Sequence, residues 1–284
     1  MPIDLERTRL CFQKLERQLN KLIKKQSADN VHKFRTYSRR VETAIGSLLS
    51  TNGKGRELVE DLCRLRKRAG RLRELDAQIA AVRAMKVPEA NGQKSKLLGA
   101  LLEERSQREK RLAKALDRQT VRSICKDLKR TARKLNSAEN VEPLTLCLRA
   151  LGRLGKDHGA VTEKTLHQHR ILGKQARYLA EMCAKDSDAE QLVKQLKEMQ
   201  DVIGDWHDWW QLTNTAEEVL GGIKESPLVA MLRNVTRAKF RQAADKVVET
   251  RSALADKRVG LISAQALPPR KAMLHPGKSE AAVA

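Results

Sequence analysis

The sequence predicts an all-α protein, and three observations carry that prediction. Leu, Ala, Lys, Arg, Glu and Gln dominate while Gly and Pro stay sparse until the end, a helix-forming vocabulary. Apolar residues recur at helical spacing, as in Phe34, Tyr37, Val41, Ile45 and Leu48. Clusters of turn-forming residues then cut the chain into helix-sized pieces.

The breaks fall near Ser27 to Asn30, Ser50 to Gly55, Val87 to Lys94, Asn136 to Pro143, Asp157 to Gly159, Lys185 to Asp188 and Gly221 to Pro227. They predict eight helices, over roughly 3–26, 30–50, 56–85, 94–135, 143–156, 161–184, 188–220 and 227–264. Past Leu267 the segment PPRKAMLHPGKSEAAVA has no periodicity, so 266–284 is expected to be a flexible basic tail.

The chain repeats itself. At an offset of 135 residues His32, Arg35 and Arg39 of the second predicted helix face His167, Arg170 and Lys174 of the sixth. At an offset of 134, Gly70, Leu72, Arg73 and Glu74 of the third face Gly204, Trp206, His207 and Asp208 of the seventh. Two four-helix bundles related by duplication follow as the expectation, over about 1–136 and 143–264.

Helical geometry gives the repeated spacing a meaning. At 100° per residue His32, Arg35 and Arg39 lie within about 60° of one another, so they form a stripe. That stripe borders the apolar sector of its own helix. The sixth helix does the same with His167, Arg170, Lys174 and Arg177 beside Leu166, Leu172, Ala176, Leu179 and Cys183. Comparable stripes run along the first helix (Lys14, Arg17, Lys21, Lys24), the fourth (Arg111, Lys114, Arg118, Arg122) and the eighth (Arg233, Arg237, Arg241). If both halves turn these faces inward they enclose a basic central channel. In so basic a chain, stripes on the first, fourth and eighth helices also arise as ordinary solvated faces.

Charge points to the partner class. Lys and Arg number 57 against 35 Asp and Glu, a formal charge of +22 in 284 residues, which repels itself unless something negative offsets it. Nucleic acid, polyphosphate and anionic membranes all satisfy that argument. Three Trp, two Tyr and three Phe make a poor set of stacking platforms for single-stranded bases. No run approaches the roughly 20 apolar residues of a membrane span, and the N-terminus lacks the apolar stretch of a signal peptide. Cys11, Cys63, Cys125, Cys147 and Cys183 are scattered singly, without zinc-site spacing, which suits reduced thiols in a cytoplasm.

The segments VHKFRTYSRR and LHQHRILGKQARYL, followed by LKEMQDVIGDWHD, resemble the CHAD family, the conserved histidine α-helical domain. The resemblance runs over residues 1 to about 265. It implies two four-helix bundles about a pseudo-two-fold axis, with a basic channel that binds inorganic polyphosphate, often at polyphosphate granules. It carries over to His32, Arg35 and Arg39, and to His167, Arg170, Lys174 and Arg177. Glu42 sits where the second half has Arg177, and Glu74 stands where an Asp is expected, so the halves are not equivalent.

Such a channel would neutralise successive phosphates, with Arg35, Arg39, Arg170 and Arg177 offering bidentate hydrogen bonds and Lys174 a point charge. A polyanion alongside would draw His32 and His167 toward their protonated forms. His207, among Trp206, Trp209 and Trp210, suits packing as well as binding. No phosphate-cradling Gly-rich loop, metal set or Glu-x-x-His helix pattern is present, so the reading is of a binding protein without cofactor, not an enzyme. Sequence-independent nucleic-acid binding is the rival expectation.

Overall fold

In the computed structural model, residues 3–49, 53–86, 92–135, 141–154 and 160–265 are described, with side chains described up to residue 152 in the fourth segment and 254 in the last. The predicted tail at 266–284, including His275, and the loop around His158 lie outside the described residues.

The described residues form α1 (Leu5–Lys24), α2 (Ala28–Leu48), α3 (Lys54–Ala84), α4 (Gln93–Ala115), α5 (Arg118–Arg133), α6 (Pro143–Leu154), α7 (Glu163–Ala180), α8 (Ser187–Leu220) and α9 (Pro227–Gln265). Extended structure among them is limited to one isolated bridge, Ile3 with Cys183, beside which the Asp4 N–H donates to the Met182 carbonyl at 2.8 Å. The N-terminus is thereby tied to the end of α7.

Local chemistry sets the helix starts. Side chains of Asp4, Ser27, Asp117, Thr162 and Asp186 each accept a hydrogen bond from a backbone N–H in the first turn that follows. Thr162 and Thr165 cap each other reciprocally at α7.

One of these caps corrects the expected helix at 94–135, which is two helices. Leu116 leaves α4, and the Asp117 carboxylate takes the Thr120 N–H at 2.8 Å to start α5. Leu112 and Leu116 before the break and Val121 and Ile124 after it are all buried in one core. A bend lets both helices keep their apolar faces inward, and fully burying each such side chain contributes about 1.5–3 kcal/mol.

The core has three parts. Phe12, Leu15, Leu19, Phe34, Leu62 and Leu128 represent the first, which joins α1, α2, the first half of α3 and α5. The second joins α6, α7, the first half of α8 and α9 through residues such as Leu166, Leu196, Ile203 and Val247. The third stitches the two together: Leu75, Ile79 and Val82 of α3 and Leu97 and Leu101 of α4 meet Leu212 and Ala216 of α8 and Leu228, Val229 and Leu232 of α9. Across this junction α2 also packs on α7, and α3 on α8. The two helices bearing the repeated His motif therefore face each other.

Candidate functional site: a buried cationic cluster between α2 and α7

Where α2 meets α7, the repeated stripes come together. Arg39 of α2 and Arg170, Lys174 and Arg177 of α7 lie close enough to act on one another's charge, as does Arg35. All five are largely withdrawn from water, and among the described residues no carboxylate stands within ion-pair distance of Arg39, Arg170 or Lys174. Burial and then the charges of Arg170, Arg39, Arg35 and Arg177 push the Lys174 amine down to about 6. Without an anion it is mostly neutral at pH 7. Burial lowers Arg39 and Arg170 as well, and brings Arg35 to about 10.

The two sides of the cluster are held differently. On the α2 side, Arg35 Nη1 donates to the Arg66 carbonyl at 3.1 Å, and its guanidinium occupies the place where any Cβ at position 70 would go. Gly70 thus leaves open the space that the end of the Arg35 side chain fills. Glu42 accepts from Arg66 Nε at 2.8 Å and from Ser38. On the α7 side, Arg170 Nε is buried without a hydrogen-bond partner. Arg177 Nε is 3.4 Å from Glu181 without hydrogen-bond geometry. Its guanidinium lies 5.1 Å from the centre of the Tyr178 ring. Gly173 admits the Met199 methyl to within 2.7 Å of a would-be Cβ, which holds α7 close on α8.

Histidines line one end. His32 and His167 are exposed, and the His167 ring lies 6.2 Å from that of His207 on α8. His207 is buried against Trp206 and Trp210, and burial followed by the charge of Arg170 drives its pKa down to about 4. Burial and then Arg73 lower that of His32. In the protein alone these shifts bias the rings of His32 and His207 to the neutral form. His169 is a core residue, its Nδ1 2.7 Å from the Thr165 carbonyl.

Acids temper the cluster without neutralising it. Glu74 acts on both Arg35 and Arg170, and Asp208 on Arg170. Burial raises the pKa of Asp208, while Arg73 acts against that rise.

Apart from Lys14, which lies beside its Arg40 end, the stripes on the other helices do not join this cluster. Lys24, Arg118 and Arg122 line an outer groove between α1 and α5. Arg111 and Lys114 line a separate cleft between α3 and α4. Lys14 sits 5.9 Å over Tyr37 in a small pocket with Arg40 and Glu181. Arg17, Lys21, Arg237 and Arg241 are exposed, and Arg233 pairs with Glu217. The reason is geometric: these helices turn their apolar sectors to α2, α3 or α8, which leaves the basic sectors outside. Conversely Arg66 and Arg73 of α3 belong to the cluster, although the run RKRAGRLR spreads its cations over about 220° of the helix, with no separate stripe to reveal them. Arg40, held by Glu181 at 2.8 Å between Tyr37 and Tyr178, closes the other end.

Among the described residues there is no group of three or more His, Cys, Asp or Glu side chains placed to hold a metal ion. Nor is any helix there long and apolar enough to cross a membrane.

A family model described as CHAD domain matches residues 6–217. Among solved structures, the crystal structure of the CHAD domain from the plant Ricinus communis is similar, with a TM-score of 0.62, covering 86% of this chain and 88% of that one at 15% sequence identity. At that identity the likeness concerns the fold. No curated protein sequence matches the chain.

Proposed function

The chain belongs to the CHAD family, and on that footing we propose that it binds inorganic polyphosphate, without catalysis, in the cationic cluster between α2 and α7. The observation that carries this reading is that Arg39, Arg170 and Lys174, all half-buried, have no carboxylate within ion-pair distance among the described residues, and that Arg170 Nε is buried without a hydrogen-bond partner. Burying a cation without a partner is costly, and a fold keeps such groups when a ligand completes them. Polyphosphate suits the site because it is thin and carries about one negative charge on each internal phosphate, and releases counterions when cations replace them.

In this reading Arg39 and Arg170 contact phosphate oxygens directly, Lys174 becomes charged when the anion enters, and the exposed His32 and His167 receive the chain at the histidine end. Arg35 holds α2 against α3 and adds its charge from there. The arrangement of the core supports the duplication expected from the sequence, with one core part in each half and a third across the junction; in this reading the α2–α7 crossing is where the phosphate chain enters. A cytoplasmic location and association with polyphosphate granules belong to the same proposal.

Calorimetric titration with long-chain polyphosphate, and with single-stranded and duplex DNA of matched charge, tests it. The reading predicts preference for polyphosphate, because a duplex is too wide to reach half-buried side chains. Equal affinity for all three would mean that net charge alone recruits the partner.

A further inference from the structure

The cleft between α3 and α4, of about 600 Å³, is lined by Lys67, Arg68, Arg71, Arg108, Arg111 and Lys114, six cations and nothing else. Among the described residues, the carboxylate that reaches any of them is Glu104, 3.0 Å from Arg108. Within each helix they stand three or four residues apart, as Lys67 with Arg71 and Arg111 with Arg108 and Lys114, where like charges repel and destabilise the helix. The packing of α4 on α3 then sets the two repelling rows against each other. The outer groove between α1 and α5 differs, since Glu16 stands 3.0 Å from Lys129 there and Asp127 3.1 Å from Arg130.

The position of the cleft relative to the cluster adds a consequence. At 100° per residue Arg66 and Arg73, which belong to the cluster, lie together on α3, while Lys67, Arg68 and Arg71 centre about 150° away. One helix thus presents cations to two sites on nearly opposite sides. A single short anion cannot fill both.

We propose that the α3–α4 cleft is a second polyphosphate-binding site, so that one molecule holds two stretches of polyphosphate and cross-links chains. This rests on the proposed function of the α2–α7 cluster. The two sites differ in kind: the cleft residues are mostly exposed, so the cleft binds more weakly and loses affinity sooner as salt rises. Bivalency makes cross-linking greatest at intermediate ratios of chain to protein, because excess chain leaves each molecule with a separate chain at each site.

The test uses the full chain and four proteins: wild type, a cleft variant (Lys67→Glu, Arg71→Glu, Arg111→Glu), a cluster variant (Arg39→Gln, Arg170→Gln) and their combination, each checked by circular dichroism. The cleft residues are exposed, so their reversal leaves the core intact. Titration with tripolyphosphate reads the number of sites, and light scattering with long-chain polyphosphate reads cross-linking. The proposal expects two classes of site in wild type, one in each single variant, and loss of the scattering maximum in both. A cleft variant that matches wild type in stoichiometry and scattering overturns the second site. A cluster variant that matches wild type overturns the proposed function instead. If matched duplex DNA displaces tripolyphosphate from the cleft more readily than polyphosphate does, the cleft is a nucleic-acid surface and the proposal fails.

Discussion

Two regions carry the same motif and treat it oppositely. On the α2 side the protein fastens Arg35, which reaches the Arg66 carbonyl over Gly70, and Glu42 takes Arg66 of α3, while Arg39 has no carboxylate within ion-pair distance among the described residues. On α7 the cations are buried and left incomplete: Arg170 Nε has no partner, and Lys174 is held at about 6. Glu42 accounts for part of the contrast, since the matching position in the second half is Arg177, which adds a charge instead of removing one. A duplicated pattern of residue types therefore gives a braced Arg35 on one side only, and leaves cations without a carboxylate partner among the described residues on both, Arg39 on α2 and Arg170 and Lys174 on α7.

The largest expected effect comes from removing charge on both sides at once. Arg39→Glu with Arg170→Glu lowers polyphosphate affinity by roughly two to four orders of magnitude, at about 1.5–3 kcal/mol for each charge-assisted hydrogen bond removed, measured by calorimetry. Retained affinity would place the ligand elsewhere.

Next come variants that split the two sides. Lys174→Met raises the thermal stability of the unliganded protein by roughly 1–3 kcal/mol, because a poorly satisfied polar group leaves the interior, while it weakens binding. Arg35→Met does the reverse to stability, since it removes the hydrogen bond to the Arg66 carbonyl and empties the space over Gly70. Equal changes in melting temperature would erase the distinction.

The same lysine sets a pH dependence. Its ordinary value is 10.5 and its folded value about 6, so between these the unfolded chain binds the extra proton and the folded one does not. Its contribution therefore makes the unliganded protein more stable as pH rises above 6, and less stable as pH falls toward 6. Denaturant titrations of wild type and Lys174→Met across that window isolate this contribution, which the variant lacks.

The smallest effect compares two matched glycines. Gly70→Ala displaces the Arg35 guanidinium and weakens binding, whereas nothing lies within 4 Å of a Cβ at Gly204. Gly204→Ala raises stability by up to about 1 kcal/mol through helix propensity and leaves affinity unchanged.

Much of this is legible in the chain. The His-x-x-Arg-x-x-x-basic spacing on α2 and α7 leads to the cluster because both stripes border apolar sectors, which fixes the side they face once the helices pack. Stripes at one-turn spacing also run along α1, α9 and the stretch from Arg111 to Arg122 that α4 and α5 share, and packing shows that they stay outside. Arg66 and Arg73 are hidden because cations cover α3 outside its apolar sector of Leu62, Leu65, Ala69 and Leu72, so nothing separates these two from Lys67, Arg68 and Arg71 before α2 and α8 are placed against it. The role of Arg35 is hidden too: its residue type reads as a phosphate ligand, while its position on Gly70 makes it a brace, so that charge reversal there would disturb packing as well as binding. The break between α4 and α5 has a visible cap in Asp117 and Thr120, masked by strong helix formers on both sides.

The most direct measurement is proton exchange on binding. Calorimetric titration with long-chain polyphosphate near pH 7, in buffers of different ionisation enthalpy, reads the protons taken up per site. Wild type is predicted to take up protons, because the bound anion raises Lys174 from about 6, and Lys174→Met to take up fewer, by close to one. Tight binding with the same proton count in both proteins would contradict the claim that these buried cations hold the chain.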